Sequence, residues 1–138
     1  MSDTERPPAS IYDRIGESGF ADLVGRFYTK VREDDVIGPM YPPGDWDNAE
    51  RRLRLFLIQR FGGPGTYSAE RGHPRLRMRH MPFPISPGAA ERWLVLMRET
   101  LVECEKASTI DAQVRAELWP YFVDTATFMI NQPTTDGG

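Results

Sequence analysis

The chain has 138 residues, 40% hydrophobic and 27% charged, with a formal net charge of −3, which fits one domain around one core. The acidic balance disfavours non-specific nucleic-acid binding, and a single cysteine, Cys104, excludes an internal disulfide. No apolar run approaches the length of a membrane span, and the polar opening MSDTERPPAS is no secretory signal, so a cytoplasmic protein is expected.

Residues 1–9 and 133–138 are polar and rich in Pro, Thr and Gly, and read as disordered tails flanking one domain at 10–132. Ser10 with Asp13 predicts a capping box for a short first helix through Ile11, Tyr12 and Ile15, which Gly16 ends. Ser18 can cap the next helix, where Phe20, Leu23, Val24, Phe27, Tyr28 and Val31 recur at helical spacing. Residues 34–40 connect, and Pro42-Pro43-Gly44 breaks the chain. Asp47 with Glu50 can cap a third helix with an apolar face of Ala49, Leu53, Phe56, Leu57 and Phe61. Gly62-Gly63-Pro64-Gly65 stops it, and the stretch to Gly72 reads as a loop, long enough to be functional.

The stretch Arg75-Leu76-Arg77-Met78-Arg79 before His80 reads as a short helix, followed by extended chain at 82–85. Ser86-Pro87 is a strong helix start, and that helix buries Trp93, Leu94, Met97, Leu101 and Cys104. Thr109 is the predicted cap of the last helix, with Val114, Leu118, Phe122, Thr125, Phe128 and Met129 inside. Pro120 either kinks this helix or marks where its main part begins.

His80 and His73 are the only histidines, and both lie in Gly72-His73-Pro74-Arg75-Leu76-Arg77-Met78-Arg79-His80-Met81-Pro82-Phe83. A lone histidine is more often structural than a ligand. The neighbouring arginines can be a solvated face, or an anion site for phosphate, nucleic acid or carboxylate. Tyr28 and Trp93 sit on apolar helix faces, where core packing is the plain explanation. Yet one imidazole in an arginine-rich, proline-stopped helix also suits an iron porphyrin. Its ring nitrogen ligates the iron and nearby guanidinium groups pair with the propionates.

The order of these elements resembles the truncated haemoglobins of group II. The resemblance is carried by Arg26-Phe27-Tyr28, Met40-Tyr41-Pro42, the stretch Ala49 to Leu57, Phe61-Gly62-Gly63-Pro64, and above all Thr66-Tyr67-Ser68 through the histidine segment to Phe83, then Trp93. It implies an all-α truncated globin fold, a two-over-two helical sandwich around haem b. His80 matches the proximal iron ligand. Tyr28, Tyr41 and Trp93 match the distal residues that steady the bound ligand. Ala49 falls where many globins carry a distal histidine. Leu53 and Phe56 match the apolar distal wall, while Phe61, Leu76 and Phe83 match further haem contacts. Arg52, Tyr67, His73 and Arg79 match positions at the propionate edge. Two places depart from the family pattern: Gly16-Glu17-Ser18-Gly19 between the first helices, and Arg60-Phe61 in place of an aromatic pair.

The function implied is reversible oxygen binding, in the oxygen-carrier class, at a five-coordinate ferrous iron. Each charge-assisted bond to the ligand is worth about 1.5–3 kcal/mol, so oxygen should be released slowly. Nitric oxide, carbon monoxide and sulfide fit the same open position. The alternative is a haem redox enzyme, a nitric oxide dioxygenase or weak peroxidase served by an external reductase, since the chain carries no flavin or nicotinamide motif. A peroxidase wants a distal base and a carboxylate behind the proximal histidine, and neither is visible. A third reading, a haem-free anion or nucleic-acid module built on the arginines, conflicts with the net charge. A homo-oligomer is compatible with the sequence.

Overall fold

Ser10 opens the first helix: its Oγ accepts from the Asp13 N–H at 3.0 Å, and the Asp13 carboxylate accepts from the Ser10 N–H at 3.2 Å. The structure is a computed structural model that describes residues 9–80 and 85–131, apart from the Arg77 side chain. The predicted tails, apart from Ala9, and Phe83 lie outside those residues. The described chain is all-helical, with α1 at Ile11–Glu33, α2 at Trp46–Arg60, α3 at Thr66–Arg71, α4 at Leu76–His80, α5 at Pro87–Lys106 and α6 at Ala112–Met129.

Gly16 divides α1. Its φ of 68° and ψ of −178° break the helical geometry, so two helical pieces meet at a kink, as the sequence predicts. A similar demand falls on Gly62 after α2. Its φ is 105°, and a Cβ there would lie 2.5 Å from the Ser10 side chain, where the Tyr12 N–H donates to the Phe61 carbonyl at 3.0 Å. The turn after α2 is thereby fastened to the start of α1.

Helix α1 packs on α2 and α5, and α5 packs on α6. The core between them holds Phe20, Leu23, Phe27 and Val31 from α1, Met97, Leu101 and Cys104 from α5, and Leu118 and Phe122 from α6, all essentially without exposure. These are the periodic apolar positions of the sequence, brought face to face by burial of their stripes. Thr100 is a polar side chain within this core, and its hydroxyl donates to the Leu96 carbonyl at 2.8 Å. Among the described residues no helix is long and apolar enough to cross a membrane.

Four local expectations are corrected. The stretch after Gly65 is not all loop: α3 forms there, because Tyr67 buries itself against Phe56 (ring centroids 5.4 Å apart) and Gln59 bonds both the Ser68 N–H, at 2.9 Å, and its hydroxyl, at 2.7 Å. The third helix starts at Trp46 after Asp45, without a side-chain cap; the Asp45 carboxylate instead accepts from Asn48 and Arg52 at 3.0 and 2.9 Å. The last helix is capped by Asp111, whose carboxylate accepts from the Val114 N–H at 2.8 Å, while Thr109 donates to Asp22 of α1 at 2.6 Å. Phe128 is exposed rather than inside. Pro120 lies within α6, which runs through it to Met129.

Candidate functional site

Between the helices lies a mostly apolar cavity of about 420 Å³. Ten of the expected site residues line it: Tyr28, Tyr41, Arg52, Leu53, Phe56, Tyr67, Leu76, Arg79, His80 and Trp93. Elements far apart in sequence deliver them: α1, the turn before α2, α2 itself, both short helices and α5. Ala49 lines it as well and is buried.

His80 is the last residue of α4. Its Nδ1 lies 2.7 Å from the Leu76 carbonyl. A carbonyl can only accept, so Nδ1 carries a proton, and in the neutral imidazole Nε2 keeps the lone pair. This is the tautomer that ligates a metal while its other nitrogen is held in place. His80 is the one histidine that lines the cavity, and the charged side chains among the described residues that line it are Arg52, Arg71 and Arg79. Such a lining would suit a flat apolar ring with anionic side arms.

Three aromatic residues converge on the cavity. Tyr28 packs edge-on against Tyr41 with centroids 5.6 Å apart, and Phe27 packs against both Tyr28, at 5.3 Å, and Trp93, at 4.9 Å. Burial pushes the Tyr28 hydroxyl well above its ordinary pKa, and the neighbouring Tyr41 pushes the same way. Burial raises Tyr41 too, against the opposing pull of the nearby Tyr28 hydroxyl and Trp93 indole N–H. Both phenols are thus held as neutral hydrogen-bond donors.

One carboxylate ties the supports of this trio together. Asp34, at the end of α1, is buried and accepts from the Val36 and Ile37 N–H groups, each at 3.0 Å, and from Arg92 of α5 at 2.5 Å. The first two bonds shape the turn that leads to Tyr41. Arg92 immediately precedes Trp93. Burial pushes the Asp34 carboxyl up, but the Ile37 N–H, Arg92 and the Val36 N–H outweigh it and hold it below its ordinary value.

Arg79, which lines the cavity, also binds main chain. Its Nε donates to the Pro74 carbonyl at 2.7 Å, and Nη2 to those of Arg71 and His73 at 2.5 and 3.3 Å. It folds the loop before α4 while its guanidinium sits 5.9 Å from the Tyr67 ring centre. Arg52 pairs with Asp45 at 2.9 Å, and Arg51, outside the cavity lining, pairs with Glu70 at 2.6 Å. Phe61 and His73 do not line the cavity. Phe61 stacks on Phe20 and meets Tyr121 edge-on, and His73 is exposed.

The sequence reading missed part of the wall. Ile37, Met40, Arg71, Ile85, Ala89 and Ala90 line it, as do Tyr121, Phe122, Thr125, Ala126 and Met129 of α6. The signal on α6 was the same helical spacing that marks a core, and it does not distinguish packing against protein from facing a cavity.

The bacterial-like globin family model matches residues 10–128. A relative described as group 2 truncated hemoglobin YjbI, from Bacillus subtilis (strain 168), is 36% identical over 121 residues, covering 88% of each chain. The solved thermostable hemoglobin from the actinobacterium Thermobifida fusca is 45% identical, with a TM-score of 0.82 over 89% of this chain and 98% of its own. The solved truncated oxygen-avid haemoglobin from Bacillus subtilis is 33% identical, with a TM-score of 0.80 over 89% and 100%.

Proposed function

The chain belongs to the bacterial-like globin family, among the group 2 truncated haemoglobins, and from that premise we propose that it binds haem b through His80 and holds oxygen reversibly and tightly. When bound, the haem supplies a ferrous iron with one position open to a diatomic ligand. The chain's own part is the rest. His80 offers Nε2 because Leu76 holds the proton on Nδ1. The apolar wall of Leu53, Phe56 and Leu76 limits water. Tyr28, Tyr41 and Trp93 present polar hydrogens to a ligand that gathers partial negative charge, and such donors act strongly in a cavity of low polarity.

The observation that carries this reading is the pairing of a carbonyl-held imidazole with donors only. His80 leans on a peptide oxygen rather than a carboxylate, and Ala49 stands where a distal base would be expected. That combination favours keeping a ligand over cleaving it. The oxygen-avid description of the Bacillus subtilis relative points the same way. Nitric oxide, carbon monoxide and sulfide are the other ligands such a site would take. The second reading, a nitric oxide dioxygenase or weak peroxidase, requires an external reductase or added peroxide.

The test is the absorption spectrum of the ferrous protein with and without oxygen, followed by the oxygen off-rate in wild type and Trp93→Phe. Loss of one charge-assisted bond should speed release by about one to two decades. An unchanged off-rate would remove Trp93 from the role proposed for it. Rapid wild-type release would refute tight holding. Fast peroxide turnover would favour the enzyme.

A further inference from the structure

We propose that Asn131, which follows α6 and does not line the cavity, is a positioning residue for His80. The inference rests on the reading of His80 as the haem ligand. Helix α4 has only five residues, a single turn whose intrinsic helical stability is poor. Its geometry must come from what fastens its two ends. Arg79 fastens the entry through the carbonyls of residues 71, 73 and 74.

Asn131 fastens the exit. Its Nδ2 donates to the His80 carbonyl at 3.2 Å, and its Oδ1 accepts from the Ile85 N–H at 2.8 Å. Its own main-chain N–H donates to the Ile85 carbonyl at 2.9 Å. One side chain thus clasps residues 80 and 85 together, and the main chain of α6's end reinforces the grip. The partners also fix the amide's orientation. Reversing it would set an NH2 against the Ile85 N–H and an oxygen against the His80 carbonyl. Neither aspartate, which cannot donate, nor a hydrophobic residue of similar size can replace both bonds.

The clasp reaches the imidazole through the backbone. The His80 ring is bonded to the Leu76 carbonyl one turn earlier, so the ring follows the orientation of α4. A release at the His80 carbonyl lets the last peptide of that turn rotate, and the ring tilts with it. Asn131 therefore sets the direction in which Nε2 faces the iron.

The experiment compares wild type, Asn131→Ala and Asn131→Asp as haem-loaded proteins. The aspartate is nearly isosteric and keeps the acceptor for Ile85, so it carries the test if the alanine variant fails to fold. Two readouts are taken: the iron–imidazole stretching band in the resonance Raman spectrum of the deoxy ferrous form, and hydrogen exchange of the Ile85 amide. In Asn131→Ala both should move, with exchange about fivefold faster, the factor that corresponds to about 1 kcal/mol. In Asn131→Asp the band should shift while Ile85 exchange stays near wild type. A band unchanged in both variants, with Ile85 exchange accelerated in the alanine variant, would overturn the proposal: the clasp would exist without steering His80. Wild type lacking a Soret band would sink the haem reading itself, and this inference with it.

Discussion

At the scale of single residues, Tyr41 stands in the middle of the distal trio: its ring meets Tyr28 edge-on with centroids 5.6 Å apart, and the nearby Tyr28 hydroxyl and Trp93 indole N–H draw its pKa down against burial. Tyr41→Phe should speed oxygen release by about one to two decades. Stopped-flow dissociation of wild type and variant checks this; an unchanged off-rate would refute a donor role for Tyr41. The three candidate donors were legible in the sequence through the family pattern. Their packing was not, because it depends on rotamers of side chains from three separate elements. Arg79 lines the cavity while its guanidinium binds three carbonyls, and nothing in a run of arginines tells which one folds the loop before α4.

At the scale of elements, the turn after α1 shows how one carboxylate organises a wall of the site. Asp34 joins the Val36 and Ile37 N–H groups to Arg92. Asp34→Asn keeps the shape but loses the charge, and is expected to cost about 1.5–3 kcal/mol, the range for hydrogen bonds to charged groups. Denaturant unfolding of wild type and variant measures it. Because the folded carboxyl titrates below its ordinary 3.8, its stabilisation is complete above that value and fades as pH falls further. The variant should lose that portion of the acid sensitivity. Helix α3 is the element that sequence reading missed. Six residues are too few to show a period, and its stability comes from Tyr67 against Phe56 and Gln59 against Ser68, contacts made across the fold. The cap of α6 slipped from Thr109 to Asp111 because Asp22 of α1 claims the threonine hydroxyl, again a partner that local sequence does not name.

At the scale of the whole molecule, burial sets the alkaline limit. The Cys104 thiol is raised from 9.0 to about 11, chiefly by desolvation, and desolvation raises Tyr28, Tyr41 and Tyr121 as well. Each stays protonated in the folded protein at a pH where the unfolded chain has released its proton. The folded state then binds more protons, so stability falls as pH rises. The thermal midpoint should drop progressively from about pH 9 upward, first through Cys104 between 9 and about 11 and then through the tyrosines. Cys104→Ser scans over the same range should flatten the first part; an identical pH profile would exclude the thiol as its source.

The sequence by itself determined the helical class, the order of the long helices, their apolar faces and the histidine that marks the site. Those features are local: a period of 3.6 residues, a serine before a proline, a glycine where φ must be positive. The tertiary structure alone decided which apolar positions face a cavity instead of a neighbour, as on α6, and which arginines are spent on the main chain. It also decided which nitrogen of His80 keeps its lone pair and how Asn131 reaches back across the fold to hold that residue's carbonyl. Each of these depends on groups distant in sequence meeting at hydrogen-bonding distance, a condition that packing of the complete chain creates and no local pattern encodes.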